Sequence, residues 1–210
     1  MFEITYRGGN SVVITTKKDE LFIDANQSAN GLKIPKLKDA VQLATEKRFL
    51  VDSDSERPVL EGPGEYEVGP FAITGLETMH HVDNDGTMKA TSYRIVVDNI
   101  VVGVIGNIQS DLNEDQLEKL GLVDILVVPV GGGGYTLDDK EATSLVRKVE
   151  PRAVIPVHYN DSAINYEVTQ DDVSLFIAEL GAPVEDHAKL KIKSANDLPA
   201  TLTVYKLERL

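Results

Sequence analysis

The order of segments along the chain predicts an α/β protein in which β-sheets pack against each other with helices on the outside. Two observations carry that expectation. Up to about residue 105 the chain reads as short strands of alternating apolar residues separated by polar turns, an antiparallel meander. Beyond it, uninterrupted apolar runs alternate with segments of helical periodicity, the pattern of buried strands and covering helices.

FEITYR (Phe2 to Arg7) and SVVITT (Ser11 to Thr16) flank Gly8-Gly9-Asn10, a hairpin turn because glycine and asparagine tolerate positive φ. Lys17-Lys18-Asp19-Glu20 makes a second polar turn before LFIDA (Leu21 to Ala25). FAITGLETM (Phe71 to Met79) follows, then TSYRIVV (Thr91 to Val97) and IVVGVIG (Ile100 to Gly106), the last two joined by Asp98-Asn99. VDILVVPV (Val123 to Val130) has no polar alternation after Asp124, as expected of a strand covered on both faces. Thr136-Leu137-Asp138 opens a helix from about Asp139 to Val149, with Ala142, Leu145, Val146 and Val149 at helical spacing and Pro151 past its end. AVIPVHY (Ala153 to Tyr159) is the next buried strand. A second helix is expected from about Thr169, capped by Thr169 or Asp171, to Leu180 ahead of Gly181 and Pro183. ATLTVYKLERL (Ala200 to Leu210) closes as a strand. No linker or repeat divides the chain, so residues 1–210 are expected to form a single domain with pseudo-two-fold halves at about 1–105 and 106–210.

Composition narrows the class of function. A chain of 210 residues, 42% apolar, suits one core of ordinary size. No run approaches the roughly 18 consecutive apolar residues of a membrane span. The start, MFEITYRGGN, lacks a basic region followed by an apolar one, so a cytoplasmic location is expected. Zero cysteines remove disulfides, zinc–thiolate sites and thiol nucleophiles. Lys+Arg 21 against Asp+Glu 34 gives a net charge of −13, which repels phosphate backbones and anionic lipid, so neither nucleic acid nor membrane is an expected partner. The acids are dispersed (Asp52, Asp54 and Glu56; Glu114 and Asp115; Asp171 and Asp172), the pattern of a solvated acidic surface.

A few motifs could carry chemistry. Gly131 to Gly134 directly follow a buried strand, where a backbone without side chains can approach a ligand or turn left-handed; the simpler reading is a strand-to-helix loop. No Gly-Lys-Ser/Thr follows it and the GxGxxG spacing is absent, so it is neither a P-loop nor a dinucleotide fingerprint. His158 ends an apolar strand, where sites in α/β folds gather, although a hydrogen-bonded core histidine is the commoner occupant of such a place. His80 and His81 end FAITGLETM, and adjacent strand residues point to opposite faces, so one of the pair can face a given site. His187, within Glu185-Asp186-His187, reads as a surface residue. No GxSxG elbow is present.

Taken in order, GLKIPKLK (Gly31 to Lys38), GPGEYEVGPFAITG (Gly62 to Gly75), IGNIQSD (Ile105 to Asp111), VPVGGGGYTLD (Val128 to Asp138) and VIPVHY (Val154 to Tyr159) resemble successive segments of metallo-β-lactamase-fold hydrolases. The likeness is greatest to a branch of small bacterial zinc-dependent hydrolases and spans nearly the whole chain. It implies a four-layer αββα sandwich of two mixed sheets with helices on the outer faces. It also implies one or two metals held by an HxHxDH motif, a later histidine, an aspartate in a Gly-Asp turn and a final histidine.

The chain departs from that pattern where the metal should be. LATEKRFLVDS (Leu43 to Ser53) holds no histidine. Counting without gaps from GLKIPKLK puts Glu46, Arg48, Leu50 and Val51 at the positions of His, His, Asp and His, while a shift of one gives Thr45, Lys47, Phe49 and Leu50. The bridging aspartate becomes Asn107, and the turn after the first strand reads Tyr6-Arg7-Gly8-Gly9 in place of a WLGH-type sequence. The resemblance retains His80 as the later histidine, His158 as the final one, and Asp24, which in relatives helps order the site. A hydrolytic zinc needs at least three protein donors and a water whose pKa it lowers to about 7. Two histidines and a neutral amide fall short of that. Arg48, or Lys47 in the other register, would bring a permanent cation to the place of the zinc and neutralise Asp24 or Glu46, with Leu50 and Val51 filling the remainder.

The leading expectation is a non-catalytic member of that family, a pseudoenzyme that binds a small molecule or another protein, without a cofactor and with self-association into a homo-oligomer allowed. The alternative is a metal-dependent hydrolase of lactones, esters or phosphoesters, with a rebuilt single-zinc site on His80, His158 and one of Glu46, Asp24 or Asp111. In either case the expected pocket comprises Asp24, Glu46, Arg48, Asn107, Gly131 and Tyr135.

Overall fold

Two mixed β-sheets face each other across an apolar core in the computed structural model, which describes residues 1–52, 56–81, 89–108 and 112–210. Asp111, one of the candidate ligands, lies outside the described residues. The first sheet contains β1 (Phe2–Gly8), β2 (Ser11–Thr15), β3 (Glu20–Ile23), β4 (Ala40–Ala44), β5 (Val59–Glu61) and β13 (Leu190–Ile192), in the order β13-β1-β2-β3-β4-β5. The second contains β6 (Gly64–Val68), β7 (Phe71–Met79), β8 (Lys89–Val97), β9 (Ile100–Val104), β10 (Ile125–Pro129), β11 (Ala153–Val157), β12 (Val184–His187) and β14 (Thr203–Leu207). Its order is β12-β14-β11-β10-β9-β8-β7-β6. The chain passes from one sheet to the other between β5 and β6, well before residue 105, and β13 returns to the first sheet.

The period of two explains the sandwich. Phe2, Ile4 and Tyr6 of β1 and Val12 and Ile14 of β2 point inward, where they meet Ile95, Val102, Ile125, Val127 and Ile155 of the second sheet. The unbroken apolar run of β10 is buried on both faces, as its composition predicts. Ile125 and Val127 enter the sandwich, while Leu126 and Val128 face a second cluster with Ala142, Leu145 and Val146 of α2 (Asp139–Val149) and Phe176 of α3 (Val173–Leu180). Helical cover therefore lies on the second sheet. On the outer face of the first sheet, Val13 and Phe22 are covered by Ala25, Leu37 and Val51 from connecting segments.

The helix α2 forms where its periodicity places it, with Asp138 accepting from the N–H groups of Lys140 and Glu141 and Glu141 reaching back to Asp138 N–H, a capping box. The cap of α3 is Asp172, not Thr169 or Asp171. The Asp171 backbone is engaged elsewhere, its N–H donating to Gly131 O at 2.7 Å and its carbonyl accepting from Asn160 N–H at 2.9 Å, which keeps that residue out of the helix. Composition gave no periodic signal for α1 (Glu114–Leu120), whose seven residues are too few; its local mark is the capping box between Asn113 and Gln116. Strand β4 also has no clear apolar alternation because Gln42 sits within it, fully buried and satisfied by the Val51 N–H and carbonyl at 2.9 Å each. No described helix is long and apolar enough to cross a membrane.

Candidate functional site

Five strands deliver their carboxyl ends to one place, the usual location of sites in sheets with parallel strands. Glu46 follows β4, His80 follows β7, Asn107 follows β9, Gly131 follows β10 and His158 follows β11. The β1–β2 hairpin adds Asn10 from the first sheet, to which β4 also belongs. Every one of these polar side chains is buried.

They form a single directed chain of hydrogen bonds. Glu46 is its anchor. Its Oε1 accepts from Asn107 Nδ2 at 2.7 Å and from an Arg48 terminal nitrogen at 3.3 Å; its Oε2 accepts from Arg48 Nε at 2.7 Å and lies 3.1 Å from His80 Nε2. Asn107 Oδ1 accepts in turn from Asn10 Nδ2 at 3.0 Å, and Asn10 Oδ1 lies 2.9 Å from His158 Nδ1. Because Asn10 Oδ1 can only accept, His158 carries its proton on Nδ1. Burial, reinforced by the Arg48 charge, pushes the His158 pKa down to about 3, so the ring is neutral. Burial would raise the Glu46 pKa, but the His80 hydrogen bond and the Arg48 charge outweigh it and hold the carboxyl below its ordinary range. Glu46 is thus an ionised carboxylate with all of its roughly four lone-pair positions engaged.

Arg48 closes the site toward solvent. Its side chain is 39% exposed against 8% for Glu46, its Nη1 lies 3.6 Å from Glu167, and its guanidinium rests 4.7 Å from the Phe49 ring centre and 5.2 Å from that of Tyr135. Tyr135 stands between the two histidines, 6.4 Å from His80 and 5.6 Å from His158 between ring centres, and Tyr166 stacks on His158 at 4.9 Å. The cavity among Arg48, Phe49, Tyr135 and Glu167 holds about 80 Å³. Small-molecule sites take roughly 300–1,000 Å³.

Asp24 sits beneath this network and is not a partner of Arg48. Its Oδ1 accepts from the Thr45 N–H and its Oδ2 is 2.7 Å from Thr45 Oγ1. Burial dominates and raises its pKa to about 8 despite those two bonds. Leu50 and Val51 are not part of this network. The Val51 backbone serves Gln42 and its side chain packs on the outer face of the first sheet, while the Leu50 carbonyl accepts from Asn26. His81 turns away to Glu141 at 3.3 Å, and the exposed His187 pairs with Glu185 at 2.9 Å.

Gly131 contributes no open pocket. A Cβ there would lie 2.2 Å from the His158 carbonyl oxygen, so the bare backbone is what lets β10 pass the left-handed residue His158 (φ 49°). Gly131→Ala is expected to lower stability by about 1–3 kcal/mol by displacing His158. Thermal unfolding of the purified variant checks this, and an unchanged midpoint would contradict the close approach.

Asn10 is the residue the sequence left unassigned, read there as a turn former. The register taken from the WLGH-type turn stopped at Gly9, one residue short of the side chain that reaches the site. Its separation of 97 residues from Asn107 and 148 from His158 gave no local signal.

The donors that the described residues bring together do not make up a zinc site. Among the described residues no group of three or more His, Cys, Asp or Glu could hold a metal ion. The carboxylate best placed to ligate, Glu46, is saturated by a guanidinium, an amide and an imidazole, and His158 Nδ1 is committed to Asn10.

The two-sheet sandwich with strand ends converging on one buried polar cluster defines a metallo-β-lactamase-type protein. The chain belongs to the family whose model is described as the beta-lactamase superfamily domain, which matches residues 3–158. A metal-dependent hydrolase of Thermococcus onnurineus is 30% identical over 100 residues, 44% of each chain, and one of Anaeromyxobacter dehalogenans is 29% identical over 143 residues, 62% of this chain and 46% of that one. The chain therefore spans less than half the length of these relatives. A solved metallo-β-lactamase-superfamily protein of Thermotoga maritima shares the fold at a TM-score of 0.75 and 20% identity, over 99% of this chain and 100% of that one. Igni18, a metallo hydrolase of Ignicoccus hospitalis, does so at 0.62 and 17%, over 86% and 90%.

Proposed function

We propose that this chain is a non-catalytic member of the superfamily, a pseudoenzyme in which Arg48 replaces the metal as the cation of the site. The observation that carries the reading is the Arg48–Glu46 pair, with Nε 2.7 Å from Oε2, at the point where five strand ends converge. A guanidinium is permanently charged and its planar donors satisfy a carboxylate in two places, so it can neutralise the centre without lowering the pKa of any water. The adjoining cavity among the described residues holds about 80 Å³, well below the roughly 300–1,000 Å³ of small-molecule sites, which supports the reading. A retained fold without chemistry fits a role in binding a small molecule or another protein.

The test is elemental analysis of protein purified without chelator, with hydrolysis assays on lactones, esters and phosphodiesters. The expected result is no stoichiometric zinc, manganese or iron and no hydrolysis. Zinc near one equivalent, with activity abolished by EDTA, would overturn the proposal. One observation favours a second reading, a hydrolase with a single rebuilt site, in keeping with the relatives' description as metal-dependent hydrolases. Arg48 is 39% exposed and could swing outward, leaving Glu46 and His80 3.1 Å apart as the first two donors. Zinc-dependent turnover in the unaltered chain, with tighter zinc binding by Arg48→Ala, would favour it.

A further inference from the structure

We infer that the outer face of the first sheet carries a binding site for a small organic anion with an apolar body, separate from the Glu46 network. The cleft there holds about 630 Å³, against about 80 Å³ beside Arg48, and falls within the roughly 300–1,000 Å³ of small-molecule sites. Phe22 and Ala25 line it from the face of the sheet that, among the described residues, is covered by connecting segments, and Ile34, 51% exposed, lines it from one of them. This segment is the start of GLKIPKLK, a motif that supplies no residue to the buried network.

Charge decides what kind of ligand fits. Arg7, Lys33, Lys36 and Arg209 line the cleft, and Glu20 is the one acidic side chain among its described lining residues. Arg209 is tied to Asp161 at 2.6 Å. Arg7, Lys33 and Lys36 have no ion pair among the described residues. On a chain of net charge −13, three cations without an ion pair among the described residues, beside a single acidic side chain, set this apolar cleft apart from the acidic remainder of the chain. An apolar body would be desolvated against Phe22 and Ile34, and the cations would select a carboxylate, sulfonate or phosphate over a neutral analogue. The competing reading is that the long lysine and arginine stems merely shield apolar surface while their heads remain in water. That reading predicts no saturable, charge-selective binding.

The chain has no tryptophan, so Ile34→Trp installs a unique emitter at the cleft without touching the core. The probe is anilinonaphthalene sulfonate, with uncharged N-phenylnaphthylamine as its counterpart. Saturable single-site quenching is expected with the sulfonate. Adding Lys33→Glu and Lys36→Glu should weaken it at least about tenfold with an unchanged melting temperature, since charge selection is then reversed. Lys17→Gln with Lys18→Gln should leave the affinity as it was. If the charge-reversed chain fails to fold, raising the salt to about 0.5 M in the Ile34→Trp protein must weaken binding by screening. Quenching that does not saturate, that survives charge reversal or salt, or that is equal for the uncharged counterpart would overturn the assignment.

Discussion

Glu46→Ala is expected to destabilise the protein by about 3–5 kcal/mol, because one deletion orphans the buried donors of Asn107 and His80 and removes the partner of Arg48. For a chain of this size that corresponds to a fall in melting temperature of roughly 10 °C. Glu46→Gln should recover little, since its amide nitrogen would face a donor from Arg48, His80 or Asn107 whichever way it is turned. Arg48→Met should cost less, about 1–3 kcal/mol, because Arg48 is 39% exposed and Glu46 keeps two other donors. Chemical denaturation of the three variants checks the ranking. If Glu46→Ala cost no more than Arg48→Met, Glu46 would not be the anchor of the network.

The second large effect is a pH dependence seated on Asp24. Its folded pKa of about 8 lies above its ordinary value of 3.8. The folded state therefore holds a proton that the unfolded chain releases, and stability from this group is complete below about pH 4 and lost as pH rises to about 8. The whole span amounts to about 6 kcal/mol. His158 works in the opposite sense. Its folded pKa of about 3 lies below 6.5, so its contribution is complete above pH 6.5 and lost as pH falls toward 3. The two slopes cancel between about pH 4 and 6.5, which leaves a decline from pH 6.5 to 8. Asp24→Asn should abolish that decline. Asparagine tolerates the left-handed backbone of position 24 (φ 50°), and its amide can donate to Thr45 Oγ1 as the protonated carboxyl would. Parallel denaturation curves for wild type and Asp24→Asn at pH 6.5 and 8.5 decide the matter. Equal losses in both proteins would show that Asp24 does not titrate in this range.

Much of the fold was legible from local pattern. The period of two in the first hairpin, the two-sided apolar run Ile125 to Val128 and the spacing of Ala142, Leu145 and Val146 each follow from which faces must be dry. Elements missed were those with too few residues to show a period, such as α1, or with a polar residue satisfied from afar, such as Gln42 in β4. Of the candidate site, the strand-end positions of His80, Asn107 and His158 were readable, as was a charge pair at Glu46 and Arg48. The choice of Glu46 over Asp24 as the partner of Arg48 was not, because Thr45 takes both oxygens of Asp24 and nothing in local spacing announces that.

By itself, then, the sequence determined the succession of strands and covering helices, because these depend on local periodicity, while the sandwich and the meeting of its strand ends were what the family resemblance implied. The tertiary structure alone decided that Asn10 bridges His158 to Asn107, that Glu46 collects the donors of Asn107, Arg48 and His80, and that Arg7, Lys33 and Lys36 line one cleft with Phe22. Those outcomes depend on side chains up to 148 residues apart being brought within hydrogen-bond reach. A hydrogen bond's strength falls away within a few tenths of an ångström, and no pattern along a chain specifies distance at that scale.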